Sequence, residues 1–104
     1  VIIDPFSAVK LNDNDKHRIL RYGLLVIDCS WKKSLKIRGK EFPGARSLPP
    51  FVAANPVNYG KWEKLSSAEA LSAALLIADF PDYGKLILSK FSWGEEFLRI
   101  NQWD

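Results

Sequence analysis

"LLVIDCS", residues 24 to 30, decides the fold class. Its first four residues are apolar without alternation, and Val26 and Ile27 are branched at the β-carbon. A strand with one wet face alternates every second residue, whereas an unbroken apolar run fits a strand covered on both faces. Burial on both faces is the habit of parallel sheets, whose crossover connections lie across them as helices. To the left, "NDNDKHRILRY" (12–22) places cap-type residues before a partly amphipathic stretch. That pattern predicts a helix from about Asp15 to Tyr22, ended by Gly23. Further left, Val1-Ile2-Ile3 is a short apolar run stopped by Asp4-Pro5, and reads as a strand end. Strand, helix, strand in that order gives the α/β class.

To the right, Lys32, Lys33, Lys36, Arg38 and Lys40 fall within nine residues that contain no acid. A short strand is expected around Ala45 to Leu48, and "LPPFVAANPVNYG" (48–60) follows. Pro49, Pro50 and Pro56 each fix φ and restrict the residue before them, so this loop is stiff at low entropic cost. Asn55, Asn58 and Gly60 suit turn geometry. Phe51 to Asn55 show no pattern of a sheet ladder, which leaves their N–H groups as donors. Donors, an aromatic ring and small alanines together suit a flat heterocycle such as adenine; a plain connector is the other reading the residues allow. Beyond the loop, Ser66 and Glu69 have capping-box spacing ahead of "AEALSAALLIAD" (68–79). A second helix is expected over Asp82 to Lys90, and Ser92 with Glu95 repeats the box before "FLRINQW" (97–103). The layout divides into an α/β part, residues 1–62, and an all-helical part, residues 63–104.

The chain has 104 residues, enough for one core, and at 47% hydrophobic and 26% charged it is of globular composition. Four Trp, three Tyr and six Phe make a heavy aromatic load, while methionine is absent even at position 1, so an N-terminal portion is expected to precede Val1. A net charge of +3 tilts weakly toward polyanions. One cysteine and one histidine exclude an internal disulfide and leave no basis for a protein-built zinc site, so no metal is expected. Cys29 reads as a small buried strand residue, and His17, between Lys16 and Arg18, as part of a solvated helix face. No glycine-rich phosphate motif occurs. No apolar run approaches the roughly 20 residues of a membrane span, so no membrane is expected; a cytoplasmic or nuclear setting is the default, and cytoplasmic is taken. Ligands of open parallel sheets bind beyond the carboxyl ends of strands. Asp4 and Asp28 end two of them; Asp28 is the stronger candidate, because Ser30, Trp31 and the basic run follow it, although such residues also cap turns.

"DCSW" (28–31), "R-x-LPP-x-x-AANPVNYG" (46–60), "KLSSAEALSAAL" (64–75) and "F-x-WGEEFLRIN" (91–101) together resemble, in order, the motifs of the small-subunit rRNA aminocarboxypropyltransferases of archaea and eukaryotes. The resemblance runs from Ile3 to Asn101. It implies a SPOUT-like parallel sheet with a deep trefoil knot, followed by an all-helical C-terminal part, with a further strand and helix ahead of Val1. It implies S-adenosylmethionine as donor and transfer of its 3-amino-3-carboxypropyl group to N3 of N1-methylpseudouridine, releasing methylthioadenosine. By the same likeness, the backbone of Ile3, Ile27 and Phe51 frames the adenosine, and Trp31 packs on the methionyl part. Asp28 orients the local loop or assists deprotonation of N3. Tyr59 adds a wall, and the amides near Ser66 and Ser67, at the positive end of a helix, meet the carboxylate. Lys32, Lys33, Lys36, Arg38, Lys40 and Arg46 are expected to contact rRNA of a pre-ribosomal particle, with the protein a monomer. The competing readings are a dimeric SPOUT methyltransferase and a non-catalytic rRNA-binding assembly factor.

Overall fold

The structure, a computed structural model, describes residues 1–4, 7–26, 44–60 and 65–103. Three short strands, β1 (Ile2–Ile3), β2 (Leu25–Val26) and β3 (Ala45–Arg46), form a parallel sheet in the order β2-β1-β3. Ile2 faces Leu25 on one side and Ala45 on the other; Ile3 faces Val26 and Arg46. The ladder is extended by Asp4 N–H to the Arg46 carbonyl (2.9 Å) and by a parallel bridge between Lys10 and Ser47. From β1 the chain crosses to one neighbour and then to the other, so the strand order reverses at the central strand. The parallel α/β class expected from residues 24 to 30 is therefore present, but the burial on both faces that suggested it is corrected: β2 lies at the sheet edge, with Leu25 59% exposed and Val26 half-buried. Residues 27 to 30 of that run lie outside the described residues. The expected knot depends on the whole chain path, including residues 27–43, and those too lie outside them.

Between β1 and β2 a 3₁₀ turn (Asp13–Asp15) runs into α1 (Lys16–Tyr22), within a residue of the expected start. The cap comes from Asn12, whose side chain accepts the Asn14 N–H at 2.8 Å while Asp15 accepts the Asn12 N–H at 3.3 Å. The Asp15 carboxylate is buried, and it holds Arg18 (3.0 Å) and Arg46 (3.3 Å) on one oxygen. Gly23, at φ 85°, ends the helix. No residue of α1 is itself buried.

The helical half comprises α2 (Ser67–Ile77), α3 (Pro81–Leu88) and α4 (Gly94–Ile100). The Ser66–Glu69 capping box forms as expected. Pro81 opens α3 at the first helical position, where its missing N–H costs nothing. The second expected box does not form. The residue before α4 is Trp93, with no side-chain cap bond, and Ser92 lies in the preceding turn. Packing accounts for this: the Gly94 N–H bonds the Phe91 carbonyl (3.1 Å), and a Cβ at Gly94 would sit 2.0 Å from the Leu88 carbonyl oxygen. Close contact with the end of α3, rather than a hydroxyl cap, sets where α4 begins.

The core joins the two halves. One cluster gathers Phe51, Ala54, Ala73, Leu88 and Phe97; a second gathers Ile3, Leu11 and Ala74. Leu48 and Ile77 pack against both. Consecutive alanines of α2, each fully buried, thus serve different clusters: Ala73 meets the loop and the later helices, Ala74 the sheet. Small side chains on both sides let α2 lie close to each layer. The boundary expected between residues 62 and 63 lies outside the described residues, and apolar packing joins the parts on either side of it.

Candidate functional site

The loop leaving β3 passes from the carboxyl end of the sheet, where the strand order reverses, toward α2. Open α/β sheets form their binding crevices at such a place. The loop's apolar residues turn inward: Phe51 is 4% exposed, Ala53 0% and Ala54 3%. The Phe51 ring stacks on Phe97 of α4 with centroids 5.8 Å apart and planes 8° from parallel. At the far end the Gly60 N–H bonds the Ala53 carbonyl at 2.7 Å, with Gly60 at φ 80°, a conformation that a residue bearing a Cβ rarely adopts.

Two side chains from different helices hold the middle of this loop. Glu69, in the first turn of α2, is wholly buried. One of its oxygens accepts the N–H groups of Ala54 (2.6 Å) and Asn55 (3.2 Å). The other accepts the Asn55 side-chain amide (2.6 Å) and the Ser66 N–H (2.9 Å). A carboxylate removed from water needs its lone pairs filled, and four donors at the positive end of a helix do so. Asn55 passes the constraint on, because its side-chain oxygen accepts the N–H groups of Val57 (3.2 Å) and Asn58 (3.0 Å). From α4's end, Asn101 accepts the Val52 N–H (2.8 Å) and donates to the Val52 carbonyl (2.9 Å). It thereby pairs with Val52 as a neighbouring strand would, and its amide also donates to the Phe97 carbonyl (2.9 Å).

The loop's outer end is tied more lightly. The half-exposed Tyr59 donates its hydroxyl to Glu96 at 2.8 Å, and Glu96 also pairs with Arg99. The hydrogen bond from Arg99, seconded by that from Tyr59, lowers the Glu96 carboxyl to about 2. In return, hydrogen bonding to Glu96 raises both the Tyr59 phenol and the Arg99 guanidinium. These groups stand in solvent, where such couplings carry little energy.

Several sequence expectations meet geometry here. Ile3 is buried at the end of β1, and Phe51 lies across Leu48 from it. Tyr59 is tied to α4 at the surface. Ile27, Asp28, Trp31, Lys32, Lys33, Lys36, Arg38, Lys40 and also Cys29 lie outside the described residues. Arg46 has an internal task, with Nε on Asp15 and Nη1 on the Ala45 carbonyl (2.8 Å). One expectation is corrected. The N–H groups of Phe51 to Asn55 are not left as a free donor row, since Val52, Ala54 and Asn55 give theirs to Asn101 and Glu69. Val52 also sits in an isolated β-bridge. Nor is the tip of α2 a row of free donors: the Ser66 N–H is bonded to Glu69, and the Glu69 N–H to the Ser66 hydroxyl at 3.2 Å. The first-turn amides of Ser67 and Ala68 have no intrahelical acceptor. Sequence reasoning identified Glu69 as a cap and missed its hold on the loop. It missed Asn101 altogether, because the partner is 49 residues away and no local spacing announces it. A depression of about 520 Å³ on another surface is lined by Asp13, Asn14, Lys16, His17, Arg18 and Leu20.

The observations define a parallel α/β domain in which the loop leaving the last strand is clamped by two side chains from a helical half. The chain belongs to the family of the ribosome biogenesis protein C-terminal model, which matches residues 1–103. Curated relatives carry a consistent name. The 16S rRNA aminocarboxypropyltransferase of Thermoplasma acidophilum is 50% identical over 92 residues, covering 88% of this chain and 56% of that protein. The 18S rRNA aminocarboxypropyltransferase of Schizosaccharomyces pombe is 36% identical over 104 residues, covering 98% of this chain and 36% of that one. Among solved structures, the SAM-dependent rRNA:acp-transferase Tsr3 from Vulcanisaeta distributa superposes with a TM-score of 0.84 at 40% identity. That match covers 97% of this chain and 56% of the other. The chain thus spans about half the length of these two archaeal relatives and about a third of the yeast one.

Proposed function

We propose that this chain forms the donor-binding part of an enzyme that moves the 3-amino-3-carboxypropyl group of S-adenosylmethionine to N3 of N1-methylpseudouridine in small-subunit rRNA, releasing methylthioadenosine during ribosome biogenesis. The observation that supports the reading is the clamped loop at the strand-order reversal, in a chain whose relatives are named rRNA aminocarboxypropyltransferases. The finer picture includes a SPOUT-like knot, a monomer acting in the cytoplasm on a pre-ribosomal particle, and residues 63–104 as its all-helical part.

Three carbons flank the sulfonium, and the one that reacts is the one aligned with the nucleophile, so regiochemistry is a matter of positioning. In the proposed step N3 of the acceptor forms a bond to the γ-carbon of the methionyl chain. The γ-carbon–sulfur bond breaks, its electron pair stays on sulfur as a neutral thioether, and the N3 proton is lost to Asp28 or to water. The backbone of Ile3, Ile27 and Phe51 frames the adenosine, with Tyr59 as an outer wall, while Trp31 covers the methionyl part. Because the loop's central amides are engaged internally and the apolar side chains of Phe51, Ala53 and Ala54 are buried, that wall contributes shape more than donors. The helix end at Ser66 and Ser67 faces the substrate carboxylate, with the Ser66 N–H already given to Glu69. Lys32, Lys33, Lys36, Arg38, Lys40 and the outer edge of Arg46 meet rRNA phosphates, and affinity then falls steeply with salt.

The test uses S-adenosylmethionine labelled separately in its methyl and carboxyl positions, incubated with the protein and small-subunit rRNA. Carboxyl label on RNA is the expected result. Methyl label alone would establish a methyltransferase, and RNA binding without label transfer an assembly factor. Calorimetry with S-adenosylmethionine, on this chain and on a version extended at its N-terminus to the length of its relatives, shows which part holds the donor.

A further inference from the structure

We infer that Glu69 and Asn101 act together as the positioning residues of the donor-binding wall, so that the helical half sets which carbon of the sulfonium faces the acceptor. The inference rests on the reading above and adds a role for two residues that need not touch either substrate.

The ground for it is a convergence. Val52 to Asn55 are four consecutive residues without helix or strand of their own, apart from the single bridge at Val52. Three of their N–H groups and one carbonyl are bonded to just two side chains, placed on different helices and 32 positions apart in sequence. Glu69 arrives at the start of α2 and Asn101 at the end of α4. The stacked pair Phe51–Phe97 lies within the same bracket. A plain connector needs its polar groups satisfied, and water or local turns accomplish that at the surface. Here the satisfaction is drawn from two distant elements, and one of the two donors of order is a fully buried carboxylate. Removing such a group leaves several buried donors unmatched at once. Selection for a mere linker offers no reason for that exposure to loss. A wall that must hold its place to a fraction of an ångström does.

The two clamps act on opposite ends of the segment. Asn101 fixes Val52, the residue next to Phe51; Glu69 fixes Ala54 and Asn55, and through Asn55 the turn at Val57 and Asn58. The Phe51 backbone therefore takes its place from α4, and the loop's outer turn takes its place from α2. A small shift at either end rotates the wall relative to the sheet and changes the angle at which a bound donor meets the acceptor.

Asn101→Ala, Asn101→Asp and Glu69→Gln test this in the protein extended to the length of its relatives. Three readings are taken: amide exchange at Val52, Ala54 and Asn55, dissociation constants for S-adenosylmethionine, and the ratio of methyl to carboxyl label on rRNA. Asn101→Ala should speed exchange at Val52 at least tenfold and weaken donor binding about tenfold, the scale of a lost part-buried hydrogen-bond pair. Its methyl-to-carboxyl ratio should rise above that of the parent. Asn101→Asp keeps an acceptor for the Val52 N–H but loses both donors, so its Val52 exchange should lie between the parent and Asn101→Ala. Glu69→Gln should speed exchange at Ala54 and Asn55; if that variant does not fold, the Asn101 pair decides alone. The inference is overturned if the parent binds the donor while Asn101→Ala binds it as tightly and keeps the same label ratio. Failure of the parent to bind would instead remove the underlying reading, and this one with it.

Discussion

The segment Val52 to Asn55 and helix α1 are both short, and the structure holds them in opposite ways. The segment has almost no regular structure, yet its central polar groups are bonded to buried or half-buried side chains from two helices. Helix α1 is regular and follows a capped 3₁₀ turn, yet none of its residues is buried, with Leu20 71% and Tyr22 74% exposed. Among the described residues its side-chain ties include an exposed pair between Lys16 and Asp79 and the Arg18 contact with Asp15, both near its N-terminal end. Hydrogen bonds within a seven-residue helix stabilise it only marginally in water. Location comes from what a segment buries or bonds elsewhere, so the irregular stretch is the better fixed of the two.

The harshest way to break this contrast is Phe97→Ala. Phe97 is fully buried, stacks on Phe51 and anchors the cluster on which the loop rests. Truncation should cost about 3–5 kcal/mol of stability, read from denaturant unfolding. A loss below about 1 kcal/mol would show that α4 does not support the loop. At the other end of the contrast, Leu20→Gln in α1 should move stability by less than about 0.5 kcal/mol, as surface changes do. A loss several times that size would show that something covers α1 and that its bare face is not its working state.

The same contrast separates what the sequence disclosed from what it withheld. The unalternated run at Leu24, the Ser66–Glu69 spacing and the proline pattern are local signals, and a parallel α/β sheet, the start of α2 and an ordered loop are all present, although the run's implied burial on both faces fails at the exposed Leu25. The Ser92–Glu95 spacing was equally local and misled, because the contact between Gly94 and Leu88 overrode it. The loop amides were misjudged for a related reason. Their acceptors, Glu69 and Asn101, are distant in the chain, and a sequence shows which groups need partners without showing which partner folds against them. The motifs at residues 46–60, 64–75 and 91–101 carried a resemblance without saying that those stretches meet, and the structure supplies the atoms that join them.

The smallest effect sharpens the comparison at the loop's outer end. Glu96 titrates at about 2 instead of its ordinary 4.5, first because of Arg99 and then because of the Tyr59 hydroxyl. A carboxyl lowered on folding contributes stability above its unfolded value, and loses it as pH falls from 4.5 through about 2. At neutral pH the contribution is therefore complete, and at this exposed position it is slight. Tyr59→Phe removes the second donor and leaves Arg99 in place. Glu96 should then titrate higher than in the parent and still below 4.5, as followed by carbon NMR of its carboxyl group. Stability at neutral pH should barely change, since the clamps at Val52 and Asn55 are untouched. An unaltered titration would mean that the phenol does not donate to Glu96. The loop would then be tied to α4 only through Asn101 and the Phe51–Phe97 stack, with its tip as loosely placed as α1.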